Sequence, residues 1–66
     1  MPNIQEGDIA LVSGCKGQTT AWIPFIVTKY VIEHKNEYFA GWSNIEIYRR
    51  SKSGRTYKLI YKRTRA

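Results

Sequence analysis

Two alternating segments near the C-terminus, joined by a glycine-containing connection, constrain the fold of this chain more than any other feature. Residues 45–50 and 57–62 alternate between side chains suited to a core and polar side chains, as in half-buried strands. Between them, Lys52-Ser53-Gly54 suits a three-residue loop with Gly54 in the left-handed position of a G1 bulge. The sequence therefore predicts a C-terminal β-hairpin over residues 45–62. We expect residues 63–66 to fray at the chain end.

This loop length also predicts which residues face each other across the hairpin. It pairs Ile47 with Leu59. It also pairs Ile45 with Tyr61, and all four side chains would face the core. The outer face would then carry Tyr48 opposite Lys58, with Arg50, Ile60 and Lys62 beside them.

The rest of the chain gives weaker signals. Residues 8–13 predict a short strand, since glycines flank them and their side chains are mostly apolar. Residues 21–35 fit either a helix capped by Thr20 or, because they are rich in β-branched residues, one or two strands. Periodicity does not separate these states, and β-branching favours strands. Residues 38–40 predict a further short strand.

Several short strands in 66 residues predict a mainly β fold, a small SH3-like or OB-like antiparallel barrel. The opening Gly-Asp-Ile-Ala-Leu-Val at residues 7–12 resembles the first strand of many SH3-like domains. The alternative is an α+β fold with residues 20–35 helical on a three-stranded sheet. At this length we expect one domain over residues 1–66 with a small core, which a homodimer would supplement.

Charge is distributed unevenly along the chain. Residues 1–48 hold three lysines against five acids, a net charge of −2. Residues 49–66 hold eight lysines and arginines and no acid, a net charge of +8. This asymmetry favours a polyanionic partner over a merely solvated basic tail.

The hairpin residues are the predicted nucleic-acid contacts, because lysine and arginine neutralise phosphates and tyrosine stacks on bases. The predicted set is Tyr48, Arg49, Arg50, Lys52, Arg55, Lys58, Lys62 and Arg63. Trp42, next to Gly41, is a further candidate for stacking on a base or anchoring a protein partner. In the alternative interpretation these residues have only structural roles: the lysines protect a strand edge and the aromatic rings fill the core.

The sequence gives little support for a catalytic site or a metal-binding site. Cys15 and His34 are the only candidates for a nucleophile and its base, and no spacing argument brings them together. The residues Gly-Asp-Ile-Ala-Leu also resemble the start of permuted papain-like hydrolases, in which the histidine precedes the cysteine; here Cys15 precedes His34. A lone cysteine excludes a cysteine-based zinc site within one chain, and no phosphate-binding glycine motif is present. We expect no enzyme activity, no cofactor and no bound metal.

Two functions remain. The first is a non-enzymatic nucleic-acid-binding domain, for DNA or RNA, that uses the basic hairpin. The second is a protein-interaction module, such as a small accessory factor or inhibitor of phage or plasmid type, that binds an acidic or host protein through its aromatic surface or a strand edge. With no signal peptide and no long apolar run, we expect a cytoplasmic protein that does not bind a membrane.

Overall fold

A computed structural model of the chain describes residues 3–14 and 21–64, which form four strands and two short helices. The elements in chain order are β1 Ile9–Ser13, β2 Ile23–Ile26, α1 Lys29–Glu33, α2 Lys35–Phe39, β3 Asn44–Arg50 and β4 Tyr57–Thr64. The strands make one antiparallel sheet in the order β2-β1-β3-β4. The mainly β prediction is confirmed, and among the described strands the sheet is open, with β2 and β4 at its edges. Closure into a barrel stays a prediction.

The sheet buries one face against the helices and the N-terminal segment. Alternate residues of β1 and β3 supply the sheet side of the core, led by the fully buried Ile45 and Ile47. From the other side, Val31 of α1 and Phe39 of α2 close over them. The whole buried apolar cluster is Ile4, Ala10, Val12, Val27, Val31, Phe39, Ile45 and Ile47. The opposite sheet face is called the outer face below.

The segment 21–35 contains a strand followed by a helix, so neither the strand nor the helix interpretation holds over its full length. β2 lies at the sheet edge, where Pro24 is tolerated because an edge strand can lack a donor. The helix begins after Thr28, whose extended backbone and side chain cap it: the Val31 N–H donates to Thr28 Oγ1 at 3.3 Å. The predicted cap at Thr20 lies outside the described residues.

The predicted strand at residues 38–40 is wrong, because Tyr38 and Phe39 belong to α2. Helices of five residues are unstable alone, so packing decides their conformation. Phe39 is almost fully buried against the sheet, and this burial of apolar surface stabilises the helical arrangement.

The hairpin is confirmed, but its turn is one residue longer than predicted. The Ser51 N–H donates to the Thr56 carbonyl at 2.9 Å, which leaves four residues, 52–55, in the turn. Gly54 has φ +75°, the left-handed conformation predicted for it. β4 continues to Thr64, so the predicted fraying of Arg63 and Thr64 is wrong, whereas residues 65–66 lie outside the described part.

The four-residue turn shifts the predicted register by one residue, and a bulge in β4 shifts it by one more beyond Leu59. Tyr48 pairs with Leu59 and Ile47 pairs with Tyr61, so Ile60 has no partner between them. Leu59 therefore lies on the outer face rather than in the core, and the predicted pairs of Ile47 with Leu59 and Ile45 with Tyr61 are wrong. The observed partner of Ile45 is Arg63, and that of Lys58 is Arg49. Ile45 and Ile47 keep the predicted core positions and are fully buried, and Tyr61, opposite Ile47, also packs against the core as predicted.

Candidate nucleic-acid interface

The free positive charge of the hairpin is concentrated around its turn. Arg50 ends β3, Lys58 lies near the start of β4, and Lys52 and Arg55 lie in the turn between them. All four side chains are exposed, and they are called the tip cations below. Within residues 3–14 and 21–64, the side chains of Lys52, Arg55 and Lys58 make no hydrogen bond or ion pair. Their charges are therefore available to a ligand.

The turn itself orients Arg50. Its Nε donates to the Gly54 carbonyl at 3.2 Å, which leaves the rest of the guanidinium in solvent. A Cβ at residue 54 would lie 3.1 Å from the Arg50 Nε, so glycine leaves room for this guanidinium as well as adopting the positive φ. Arg50, Lys52 and Lys58 line one open groove of about 490 Å³ beside the turn. An open groove with cations along its wall suits an extended phosphate backbone.

Arg49, the neighbour of Arg50, is hydrogen-bonded to the N-terminal segment of the protein. Its Nε and Nη2 reach the two oxygens of Asp8 at 3.0 and 2.9 Å, and Nη2 also donates to the Asn3 carbonyl. Asp8 is almost fully buried and accepts a further bond from the Gln5 N–H at 2.8 Å. This arrangement ties the N-terminal segment to the hairpin.

The ion pair is reflected in both pKa values. Burial alone would raise the pKa of Asp8, but the hydrogen bonds from Arg49 and Gln5 and the charge of Arg49 together lower it. The hydrogen bond to Asp8 is the main reason that the pKa of Arg49 is raised. Both groups therefore stay charged, and the charge of Arg49 is largely neutralised within the protein.

Two further residues of the predicted site, Arg63 and Lys62, also interact with other groups of the protein. Arg63 donates through Nη2 to the carbonyls of Phe39 and Trp42, where α2 ends and the chain turns towards β3. Its Nε is buried and has no hydrogen-bond partner among the described residues. Lys62 Nζ lies 4.0 Å from Glu46 Oε2, a loose pair in which the Lys62 side chain is exposed and the Glu46 side chain is mostly buried. Arg63 therefore serves the fold, and Lys62 is partly neutralised.

The predicted aromatic contacts lie away from the turn. Trp42 is half-buried and packs against the core. Tyr48 donates from its hydroxyl to Glu46 Oε1 at 2.7 Å, and this bond, with burial and the Glu46 charge, raises the pKa of Tyr48. The ring closest to the tip cations in the sheet register is Tyr57, opposite Arg50 and 50% exposed. The sequence predicted Tyr57 in the strand but not in the site. The predicted turn was one residue too short, so it did not place Tyr57 opposite Arg50.

The structure also changes which side chains of the hairpin share a face of the sheet. Alternation from the observed register puts Tyr48, Arg50 and Lys62 on the outer face, as predicted, but puts Lys58 on the opposite side with Arg49. Arg50 and Lys58 still meet at the groove because both lie next to the turn. The structure thus brings Arg50, Lys52, Arg55 and Lys58 together at the hairpin tip; Arg49 also lines the groove, but its guanidinium is bonded to Asp8.

Of the two candidate catalytic residues, only His34 belongs to the described residues. Cys15 lies outside them. His34 stacks on Tyr30 with ring centroids 4.2 Å apart, and its Nδ1 lies 3.0 Å from the Tyr30 carbonyl. Residues 3–14 and 21–64 contain no group of three or more His, Cys, Asp or Glu side chains placed to hold a metal ion. Neither described helix is long and apolar enough to cross a membrane.

Comparison with protein-family models, with curated proteins and with solved structures found no significant match to this chain.

Proposed function

We propose that this protein is a small, non-enzymatic nucleic-acid-binding domain that contacts phosphates through its tip cations. The observation that carries the proposal is the convergence of Arg50, Lys52 and Lys58 on one open groove, with Arg55 in the same turn. The chain has no acidic residue after Glu46, so the turn itself contributes no opposing charge. Such a surface attracts polyanions and releases their counterions on binding.

The proposed site is smaller than the whole basic segment. Arg49 and Arg63 are excluded because they serve Asp8 and main-chain carbonyls. Three to four phosphate contacts predict that log K falls with log salt with a slope of about −2 to −4. Tyr57 supplies an exposed ring beside Arg50 on which an unpaired base can stack.

The test is a binding titration with fluorescent single- and double-stranded DNA and RNA across a salt series. The site variant is K52E/K58E, and the matched control is K29E/K35E, which changes net charge equally on α1 and α2. We expect the site variant to weaken binding by at least about 30-fold at low salt and to reduce the slope by about two. The control should weaken it by less than about threefold, because screening limits distant charges.

Two outcomes would contradict the proposal. One is the absence of binding near physiological salt to any of the four nucleic acids. The other is an equal loss in both variants, which would mean that affinity follows net charge and not the tip.

The second candidate function is protein recognition through an aromatic patch. Phe25 and Tyr38 pack with centroids 6.1 Å apart, and Tyr38 and Tyr30 pack edge to face at 6.0 Å. Tyr30 and Tyr38 are exposed although they belong to this network, which is typical of a partner anchor. A phage- or plasmid-type accessory factor or inhibitor would use it on a host protein. If Tyr30→Ala abolished capture of such a protein and K52E/K58E did not, this function would be favoured.

Two finer assignments belong to the same proposal. An SH3-like or OB-like barrel is favoured by the β4 bulge, because bulges bend a strand and increase its twist. A cytoplasmic location would give the tip access to nucleic acid.

A further inference from the structure

An apolar row crosses the outer face of the sheet from one edge to the other. The strand register places Ile26 beside Ile9, Ile9 beside Tyr48, and Tyr48 beside Leu59. Ile26 is 64% exposed and Leu59 is 43% exposed. Tyr57 joins Ile9 and Tyr48 in a purely apolar hollow on this face. The row is continuous, whereas scattered single apolar residues on a surface need no explanation.

Charged side chains lie on both sides of this row: Glu46 and its cross-strand partner Lys62 on one side, and Arg50 on the other. On β3, Glu46 precedes Tyr48 by two residues and Arg50 follows it by two, so all three share the outer face. A two-fold axis along the apolar row exchanges these two sides. It therefore places Arg50 of a second copy opposite Glu46 of the first, and the reverse. Glu46 of each copy then lies between Lys62 of its own copy and Arg50 of the other, so this axis brings unlike charges together across two apolar faces.

We propose that the outer face is the interface of a homodimer, in which two sheets pack face to face along the row Ile26–Ile9–Tyr48–Leu59. Self-packing places each apolar residue against its own copy. The arrangement gives the sheet a second covered face, as in two-layered β folds. This surface shares Arg50 with the tip groove, but its apolar row contains no tip cation, so the proposal does not depend on nucleic-acid binding.

The size of the face sets the expected affinity. The four strands hold 24 residues, each covering about 3.4 by 4.8 Å of the sheet, so the face measures about 400 Å² per copy. Stable interfaces bury about 800 Å² per partner, so this one belongs to the weak class. We expect a dissociation constant of about 10 to 300 μM.

The test is sedimentation of the full chain without nucleic acid at concentrations from about 5 μM to about 1 mM. The interface variant is Ile26→Lys. Ile23→Lys is a matched control, because Ile23 lies in the same strand, is 49% exposed, and pairs with the buried Val12 on the other face. Ile26→Lys should weaken association at least about tenfold, since it places a charge in a desolvated apolar row. Ile23→Lys should change it by less than about twofold.

A charge swap tests the symmetry itself. Glu46→Arg alone should weaken the dimer by about three- to tenfold, because two like charges then oppose each other across the axis. Adding Arg50→Glu to the same chain should restore association, since the pair is exchanged and not removed. Concentration-dependent NMR shifts of Ile9, Tyr48 and Leu59 amides in the unmodified protein give a measurement that needs no variant.

The proposal fails if the unmodified chain remains monomeric at about 1 mM. It also fails if Ile23→Lys weakens association as much as Ile26→Lys, or if the concentration-dependent shifts map to the helices instead of the outer face. None of these results bears on whether the tip binds nucleic acid.

Discussion

The cations at the tip of the hairpin and those along its body have opposite roles. Lys52, Arg55 and Lys58 at the tip have no protein partner among the described residues, whereas Arg49 and Arg63 are hydrogen-bonded to groups more than twenty residues away in the chain. All belong to the same run of positive charge in the sequence. The density of positive charge in the sequence therefore identifies a candidate region. Hydrogen bonds and ion pairs to other protein groups determine which of those charges remain available to a ligand.

The strongest test of this division is Arg63→Ala. Two main-chain carbonyls at the end of α2 would lose their charged donor, and we expect a loss of about 2 to 3 kcal/mol in the free energy of unfolding. That is a large part of the total for a domain of this size. Chemical denaturation measures it, with Lys58→Ala on the same strand as the control. If the two variants lost equal stability, body and tip would not differ.

The Asp8–Arg49 pair should give the next effect. Asp8→Asn removes the carboxylate that accepts from Arg49 and Gln5, and should cost about 1 to 2 kcal/mol, since the Arg49 side chain is one-third exposed. Because folding lowers the pKa of Asp8, its contribution is present above the unfolded value of about 3.9 and is lost as pH falls through the folded value. Stability between about pH 5 and pH 2 should therefore fall less in D8N than in the unmodified chain. Parallel curves would contradict this role.

Lys62 sharpens the boundary between the two groups. Its distance from Glu46 is long and the Lys62 side chain is exposed, so Lys62→Ala should change stability by less than about 0.5 kcal/mol. The measurement is the denaturation midpoint at low and high salt. A loss near that of Arg63→Ala would move Lys62 into the structural group.

The smallest stability effect should come from the tip. K52E/K58E removes no described contact, and it should leave the unfolding free energy within about 0.5 kcal/mol of the unmodified protein. Thermal or denaturant unfolding of the variant used for binding checks this. Unfolding of the variant would show that the tip is structural, and a loss of binding could no longer be assigned to the site.

The sequence predicted local features better than long-range ones. The hairpin, the positive φ of Gly54 and the first strand depend on neighbouring residues, and all three are confirmed. A helix at residues 29–33 was only the alternative interpretation because Val31 and Ile32 favour strands, and burial of Val31 decided the outcome. A signal was present in Thr28, whose hydroxyl lies three residues before the amide that it caps.

The candidate site was predicted in outline only. Lys52, Arg55 and Lys58 could be selected from charge and turn position, but nothing local separates Arg49 from Arg50. The difference comes from Asp8, which is 41 residues away in sequence. The register error has two origins: the turn is one residue longer than predicted, and a bulge follows at Ile60, where Ile60 and Tyr61 pack against the core.

That bulge has a consequence for how the length of the chain can vary. Ile60 has no cross-strand partner, and Leu59 and Tyr61 on either side of it face opposite sides of the sheet. Deleting Ile60 would leave a regular ladder in which every other residue of β4 keeps its present partner. Deleting Lys58 would instead force the residues around it to exchange faces. Ile60 is therefore the position of the hairpin at which the loss of one codon disturbs the sheet least.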